Sequence, residues 1–163
     1  NTDWPSLAGQ NQKYLYDQLV YFVNGERENA LMTAVIPYLK NLSSDELLDI
    51  AAFYAESSAS VGQADSDIDL LALGESLYRA GDLSRGIPAC TACHSLYGEG
   101  NVQAGFPKIS GQQKGYLIST LKEYRSQSRN AGNYALVMQA ASANLKDDDI
   151  EALANYMHGL YRK

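Results

Sequence analysis

The residues of this 163-residue chain best suited to chemistry stand together, Cys90-Thr91-Ala92-Cys93-His94. Cys-x-x-Cys-His is the attachment pattern of a c-type haem. The spacing follows from the reaction. Two thiols add across the two vinyl groups of the porphyrin, and two intervening residues let both sulfurs reach one edge of the ring. The adjacent histidine then supplies an imidazole nitrogen to the iron. Other readings of the same residues fit less well. A structural zinc site takes four ligands, usually from two separated pairs. This chain holds two Cys and two His in all, and His158 lies far beyond His94. A thioredoxin-like pair would sit in a βαβ pattern, and no strand pattern lies nearby. A plain disulfide leaves His94 unexplained.

A six-coordinate electron-transfer haem needs a second axial ligand, most often a Met thioether or a second His. His158 shares the polar face of a C-terminal helix with Glu151, which reads as a solvated position. Met157 lies on the apolar stripe of that helix and reads as core. Met138 is the better ligand. It follows His94 in the stretch Tyr134-Ala135-Leu136-Val137-Met138-Gln139-Ala140-Ala141, before the final helix, with small neighbours that would let a ring face approach. Its thioether is soft, neutral and suited to iron.

These residues need helices to position them, and the periodicity supplies helices alone. Residues 10 to 24 place Leu15, Leu19, Phe22 and Val23 on one face, with Gly25 as a stop. Residues 29 to 42 have no clean period. Ser43-Ser44-Asp45-Glu46 reads as a capping box opening a helix with Leu47, Ile50, Ala51 and Tyr54 inward. Residues 56 to 66 are small and polar and read as a linker. A helix from about Ile68 to Ala80 would bury Leu70, Leu73, Leu77 and Ala80, and Gly81 ends it. Residues 112 to 127 present Leu117, Thr120, Leu121 and Tyr124. Residues 147 to 161 present Ile150, Leu153, Ala154 and Met157, with Asp147, Asp148 and Asp149 at the positive helix start.

The chain also repeats itself. Trp4-Pro5-Ser6-Leu7-Ala8-Gly9-Gln10 matches Phe106-Pro107-Lys108-Ile109-Ser110-Gly111-Gln112 at an offset of 102. Tyr14 meets Tyr116, Leu19 meets Leu121 and Arg27 meets Arg129 at the same offset. It then becomes 103, where Ile50 meets Leu153 and Phe53 meets Tyr156. Two copies of one unit are therefore expected: a first domain over 1–57, a linker over 58–66 and a second domain over 67–163. The offset puts the counterpart of Cys90 to His94 upstream of Asn1. A first haem would then have its attachment motif before residue 1. Met138 falls opposite Val35 or Ile36, and an insertion between Met32 and Leu42 would make Met32 the candidate axial ligand of that first-domain haem.

Composition narrows the partners. Hydrophobic residues make up 45% of the chain, enough for a packed core, and the formal net charge is −6. An acidic surface argues against nucleic acid or anionic membrane as partner. No apolar run reaches the roughly 18 residues of a membrane span. The first residues, Asn1-Thr2-Asp3-Trp4-Pro5, have neither the basic nor the apolar region of a signal peptide. An exported protein would already have lost it.

The haem motif, the Ala104-Gly105-Phe106-Pro107-Lys108-Ile109-Ser110-Gly111-Gln112 segment, Met138 and Asp149-Ile150-Glu151-Ala152-Leu153 resemble the second domain of the cytochrome c4 family. The first half resembles the first domain from its post-haem segment onward. The resemblance implies an all-α fold of two cytochrome-c-like domains packed about a pseudo-twofold axis, with haem propionates near the interface. It implies a periplasmic dihaem electron carrier, not an enzyme, that passes electrons from an upstream donor to a terminal oxidase and meets the membrane only through its partner. It assigns Cys90 and Cys93 to the thioether bonds, His94 and Met138 to the iron, and the Pro107 carbonyl to the proximal imidazole. The alternatives are a haem enzyme, such as a peroxidase or sulfur-compound dehydrogenase, or a cytochrome subunit of a larger redox complex.

Overall fold

The helices begin where a side chain can take up their free amides. Asn11 accepts from the Lys13 amide ahead of α1 (Gln12–Asn24). Ser43 and Glu46 form the expected reciprocal capping box at α3 (Ser44–Glu56). Asp67 accepts from the Leu70 amide at α4 (Ile68–Ala80). The computed structural model describes residues 1–162. Among the described residues five further α-helices follow, α2 (Ile36–Leu39), α5 (Thr91–His94), α6 (Lys114–Arg125), α7 (Ala135–Ser142) and α8 (Asp147–Gly159), with a 3-10 turn at Leu83–Arg85 between α4 and α5. The fold is all-α, as expected. Among the described residues there is no β-strand, and isolated bridges from Asp82 to Ile87 and from Asn101 to Phe106 close two loops.

The repeat in the sequence is a repeat in packing. α1 lies on α3 as α6 lies on α8. The main core belongs to the second half, where α4 crosses α8 and Leu77, Tyr78, Leu117, Leu121, Ile150, Leu153 and Met157 are buried together. Gly74 makes the α4–α8 crossing close, because a Cβ there would run into the Ala152 carbonyl. In the first half Leu15, Phe22, Leu47 and Ala51 are buried, while Phe53 is 67% exposed. Its counterpart Tyr156 packs against Tyr78 of α4, with ring centroids 5.4 Å apart.

Several expectations need correcting. The inner face of α4 is Gly74, Leu77 and Tyr78, whereas Leu73 and Ala80 are exposed. Close approach at the glycine turns that face towards α8. Residues 36–39 form a helical turn inside the stretch that lacked a period. Met138 lies within a helix of its own, α7. His158 is half-buried rather than solvated, and its Nδ1 lies 2.7 Å from the Gln112 carbonyl. Residues 56–66 contain no regular element after α3 ends, but they are held down. Asn155, wholly buried, accepts from the Asp65 amide at 2.8 Å and donates to the Asp65 carbonyl at 3.3 Å.

The halves meet through a reciprocal pair of amide clamps. Gln10 donates to the Lys108 carbonyl and accepts from the Lys108 amide, both at 2.7 Å. Gln112 donates to the Ser6 carbonyl at 3.0 Å and accepts from the Ser6 amide at 2.7 Å. Gln10 and Gln112, like Ser6 and Lys108, are repeat mates, so the two clamps are one interaction used twice. Both glutamines are buried. Truncating one strands a peptide amide and carbonyl, an effect of about 1–3 kcal/mol per unsatisfied group. With two groups stranded, Gln112→Ala should therefore lower unfolding stability in urea by about 2–6 kcal/mol, and Gln10→Ala by a similar amount. A loss below about 0.3 kcal/mol for both would mean that water replaces the clamps at no cost.

Candidate haem site

The loop before the motif is shaped by Asp82. Its carboxylate accepts from Ser84 and Arg85 amides, and its backbone pairs with Ile87. Ile87 is buried, and Pro88 and Ala89 lead directly into Cys90. α5 is then a single turn that carries Cys93 and His94, with Cys90 at its N-cap. It stops at Ser95, whose φ of 68° is in the left-handed region that a residue with a side chain seldom enters. The Tyr78 hydroxyl donates to the Ser95 carbonyl at 2.7 Å and helps hold the chain there. Strain retained next to a chemistry-bearing residue is a recurring property of functional sites.

His94 is 7% exposed. Its Nδ1 donates to the Pro107 carbonyl at 2.9 Å. Burial pushes the imidazole pKa down, and the Pro107 contact only partly opposes this, so the ring is held neutral. With Nδ1–H committed, the Nε2 lone pair is the one available to a metal. Pro107 is placed by the Asn101–Phe106 bridge and by Gly100, whose φ is 76° and where a Cβ would strike the Phe106 and Pro107 carbonyls. Phe106 flanks the imidazole, with centroids 6.4 Å apart, and stacks edge-on against Tyr134 at 4.9 Å.

The two cysteines are free, half-exposed and on one turn. Burial of the Cys90 sulfur pushes its thiol up to about 11. A redox-active Cys-x-x-Cys pair needs the opposite, a thiol lowered by nearby positive charge. Met138 is half-buried and packs against the same core as Cys90. Its helix is pinned at its middle and just beyond its C-terminal end. Gln139 donates to the Arg129 carbonyl at 3.0 Å, and Asn144, just past the end of α7, donates to the Arg85 carbonyl at 2.8 Å. The donor set therefore fits a c-type haem: two unpaired thiols, a neutral imidazole with one nitrogen fixed, and a thioether against the same core. Met32 lies in the turn leading into α2, half-buried, and accepts from the Val35 and Ile36 amides through its carbonyl.

A second feature was not legible in the motif. Arg129, 6% exposed, donates to the hydroxyls of Tyr14 at 2.9 Å and Tyr116 at 3.3 Å, and its repeat mate Arg27 reaches Tyr116 at 3.4 Å. Neither guanidinium forms a salt bridge with a carboxylate among the described residues. Burial pushes the Tyr116 phenol up, but the two guanidiniums overcome that and bring it down. Among the described residues the joint thus carries positive charge that no carboxylate pairs with, which is costly to bury alone. Carboxylate substituents such as haem propionates are the counter-charge it suits. The pairing of Tyr14 with Tyr116 and Arg27 with Arg129 in the repeat was the available signal.

The cytochrome c family model matches residues 71–160. The chain is 40% identical to cytochrome c4 of Pseudomonas aeruginosa over 98% of its own length and 77% of that protein. It is 34% identical to the thiosulfate dehydrogenase electron acceptor of Thiomonas intermedia, over 94% of this chain and 69% of that one. The crystal structure of reduced recombinant cytochrome c4 from Pseudomonas stutzeri superposes with a TM-score of 0.90 at 39% identity, covering 99% of this chain and 87% of that one. The pinned histidine, the paired thiols, the repeated helix pairs and these likenesses agree: the chain belongs to the cytochrome c4 family, as a c-type cytochrome that binds haem covalently and carries electrons.

Proposed function

We propose that the electron resides on a haem joined to Cys90 and Cys93 and held between His94 and Met138, in a second domain spanning 67–163. The observation that carries this reading is the buried imidazole, fixed through Nδ1 to Pro107. When bound, the haem supplies the one-electron Fe(III)/Fe(II) couple. The polypeptide does the rest. Cys90 and Cys93 anchor the group at one edge, Pro107 fixes the imidazole's orientation and raises its basicity, and α7 keeps the Met138 sulfur in place. His/Met ligation raises the potential, which suits a carrier late in a respiratory chain. The proposed location is the periplasm, between an upstream donor and a terminal oxidase, through transient interfaces of roughly 1,200 Å² or less.

One likeness favours a second assignment of the donor. The Thiomonas intermedia relative is named for accepting electrons from thiosulfate dehydrogenase. A sulfur-compound dehydrogenase would then be this protein's partner, with the chain itself still a carrier.

We also place a haem in the first domain, over 1–57, followed by a linker over 58–66. Trp4 is 56% exposed, although its repeat mate Phe106 lies against His94. Leu31, Val35, Tyr38, Leu48 and Phe53 are also exposed. Trp4 above all lacks the partner that its repeat mate has, and a large apolar group left so calls for a cover. A haem attached upstream of residue 1, with the helix carrying its motif, supplies one, and Met32 is the candidate axial ligand.

Two measurements test these assignments. Met138→Ala should retain covalent haem while opening the sixth position, giving a high-spin or water-ligated ferric spectrum and a lower potential. An unchanged spectrum would make Met138 an ordinary core residue. Intact mass and iron content of the complete protein should give two haems and two irons. One of each would remove the first-domain haem and leave Met32 as packing.

A further inference from the structure

The loop before Cys90 and the turn after α7 are remote in sequence but joined by two side chains, those of Arg85 and Asn144. The Arg85 guanidinium donates to Asp149 through both terminal nitrogens, at 2.7 and 3.2 Å, and through Nε to Asp82 at 2.6 Å. Asp149 is 5% exposed, and the same carboxylate accepts from the Lys146 amide at 2.8 Å. The Arg85 carbonyl takes the Asn144 amide proton at 2.8 Å. Asp82 closes its own turn and, through the bridge to Ile87, fixes the direction in which the chain enters Cys90. On the other side, Asn144 and Lys146 lie in the short link between α7, which carries Met138, and α8.

We infer that Arg85 is a positioning residue that locks the Cys90–His94 side of the haem site to the Met138 side, so that the spacing between the two axial ligands is set by an ion-paired latch. This rests on the assignment of Met138 to the iron. The physical case is geometric. The covalent anchor is on the loop side of the latch, and the Met138 thioether is a neutral ligand held only by the placement of its helix. Gln139 restrains the middle of that helix, one residue after Met138. Its C-terminal end is restrained by the Arg85 latch and, from α6, by Arg125, which donates to the Leu145 carbonyl at 2.9 Å and pairs with Asp147 at 2.6 Å. Arg125 holds the same turn but, among the described residues, forms no hydrogen bond or ion pair with the loop before Cys90. It therefore separates stabilising the turn from spacing the ligands. A guanidinium fork gripping a carboxylate at two points fixes orientation as well as distance, which a lysine could not do.

The test is competition by imidazole for the ferric iron of the holoprotein, read from the visible spectrum, with urea unfolding measured on the same samples. Arg85→Gln leaves the Asp149 charge buried without its partner, and should raise the apparent imidazole affinity by about tenfold or more. Asn144→Ala removes one hydrogen bond of the latch from an exposed position and should raise it by about threefold. Arg125→Gln should lower the urea midpoint yet leave imidazole affinity within about twofold of wild type. If Arg85→Gln fails to fold, Asn144→Ala decides. The inference is overturned if the latch variants bind imidazole as wild type does, or if Arg125→Gln loosens the site equally. Met138→Ala supplies the reference. If wild type already binds imidazole as tightly as Met138→Ala, the ligand assignment falls and takes the latch with it. If Met138→Ala binds far more tightly than wild type while the latch variants match wild type, the latch alone falls.

Discussion

The 2.9 Å hydrogen bond from His94 to the Pro107 carbonyl is the constraint on which the second half of the molecule depends. A histidine that serves a metal must be neutral, must present a chosen nitrogen and must keep its ring plane fixed. Burial supplies the first requirement and a single backbone acceptor the other two. Much of the nearby structure places that acceptor or that ring. Asn101 and Phe106 close the loop bearing Pro107, Gly100 lets it pass close by, and Tyr78 from α4 braces the chain as it leaves α5. The crossing of α4 on α8 positions Tyr78 and makes the core on which Cys90 and Met138 rest.

The joint between the halves reuses one set of interactions about a pseudo-twofold relation. Gln10 and Gln112 grip each other's opposite loops, and each gripped peptide sits next to a repeated proline, Pro5 or Pro107. The clamp that joins the halves therefore acts within one residue of the acceptor that orients the imidazole. Arg27 and Arg129 extend the same relation with positive charge. Association of the halves, imidazole orientation and the electrostatics of the joint are thus adjacent in space.

Much of this was legible from spacing. Cys90 to His94 is a short, chemically forced pattern, and the Pro, Gly, Gln, Tyr and Arg identities at one offset exposed the repeat. The capping box of α3 was readable because Ser43 and Glu46 carry it alone. What was not legible has physical reasons. α7 is short and almost without polar residues, so no amphipathic stripe marked it. The inner face of α4 was misread because Gly74 scores as nothing in a hydrophobic pattern, although its missing side chain is what admits α8. Tyr78 stands outside the stripe of Leu70, Leu73, Leu77 and Ala80, yet it is fully buried with its hydroxyl satisfied. His158 looked solvated because the segment that covers it, around Gly62, is a linker by composition. Arg85 carried no signal, since its partner Asp149 read as one of three acidic residues at a helix start.

The central claim is a closed site in which both axial positions on the iron are filled by this chain. The most direct measurement is the visible spectrum of the reduced holoprotein before and after exposure to carbon monoxide at neutral pH. A site closed by His94 and Met138 leaves the spectrum unchanged, because the gas has no open position to occupy. Rapid, stoichiometric formation of a carbon monoxide complex would contradict the account, since it would show an open or readily displaced ligand of the kind a haem enzyme uses.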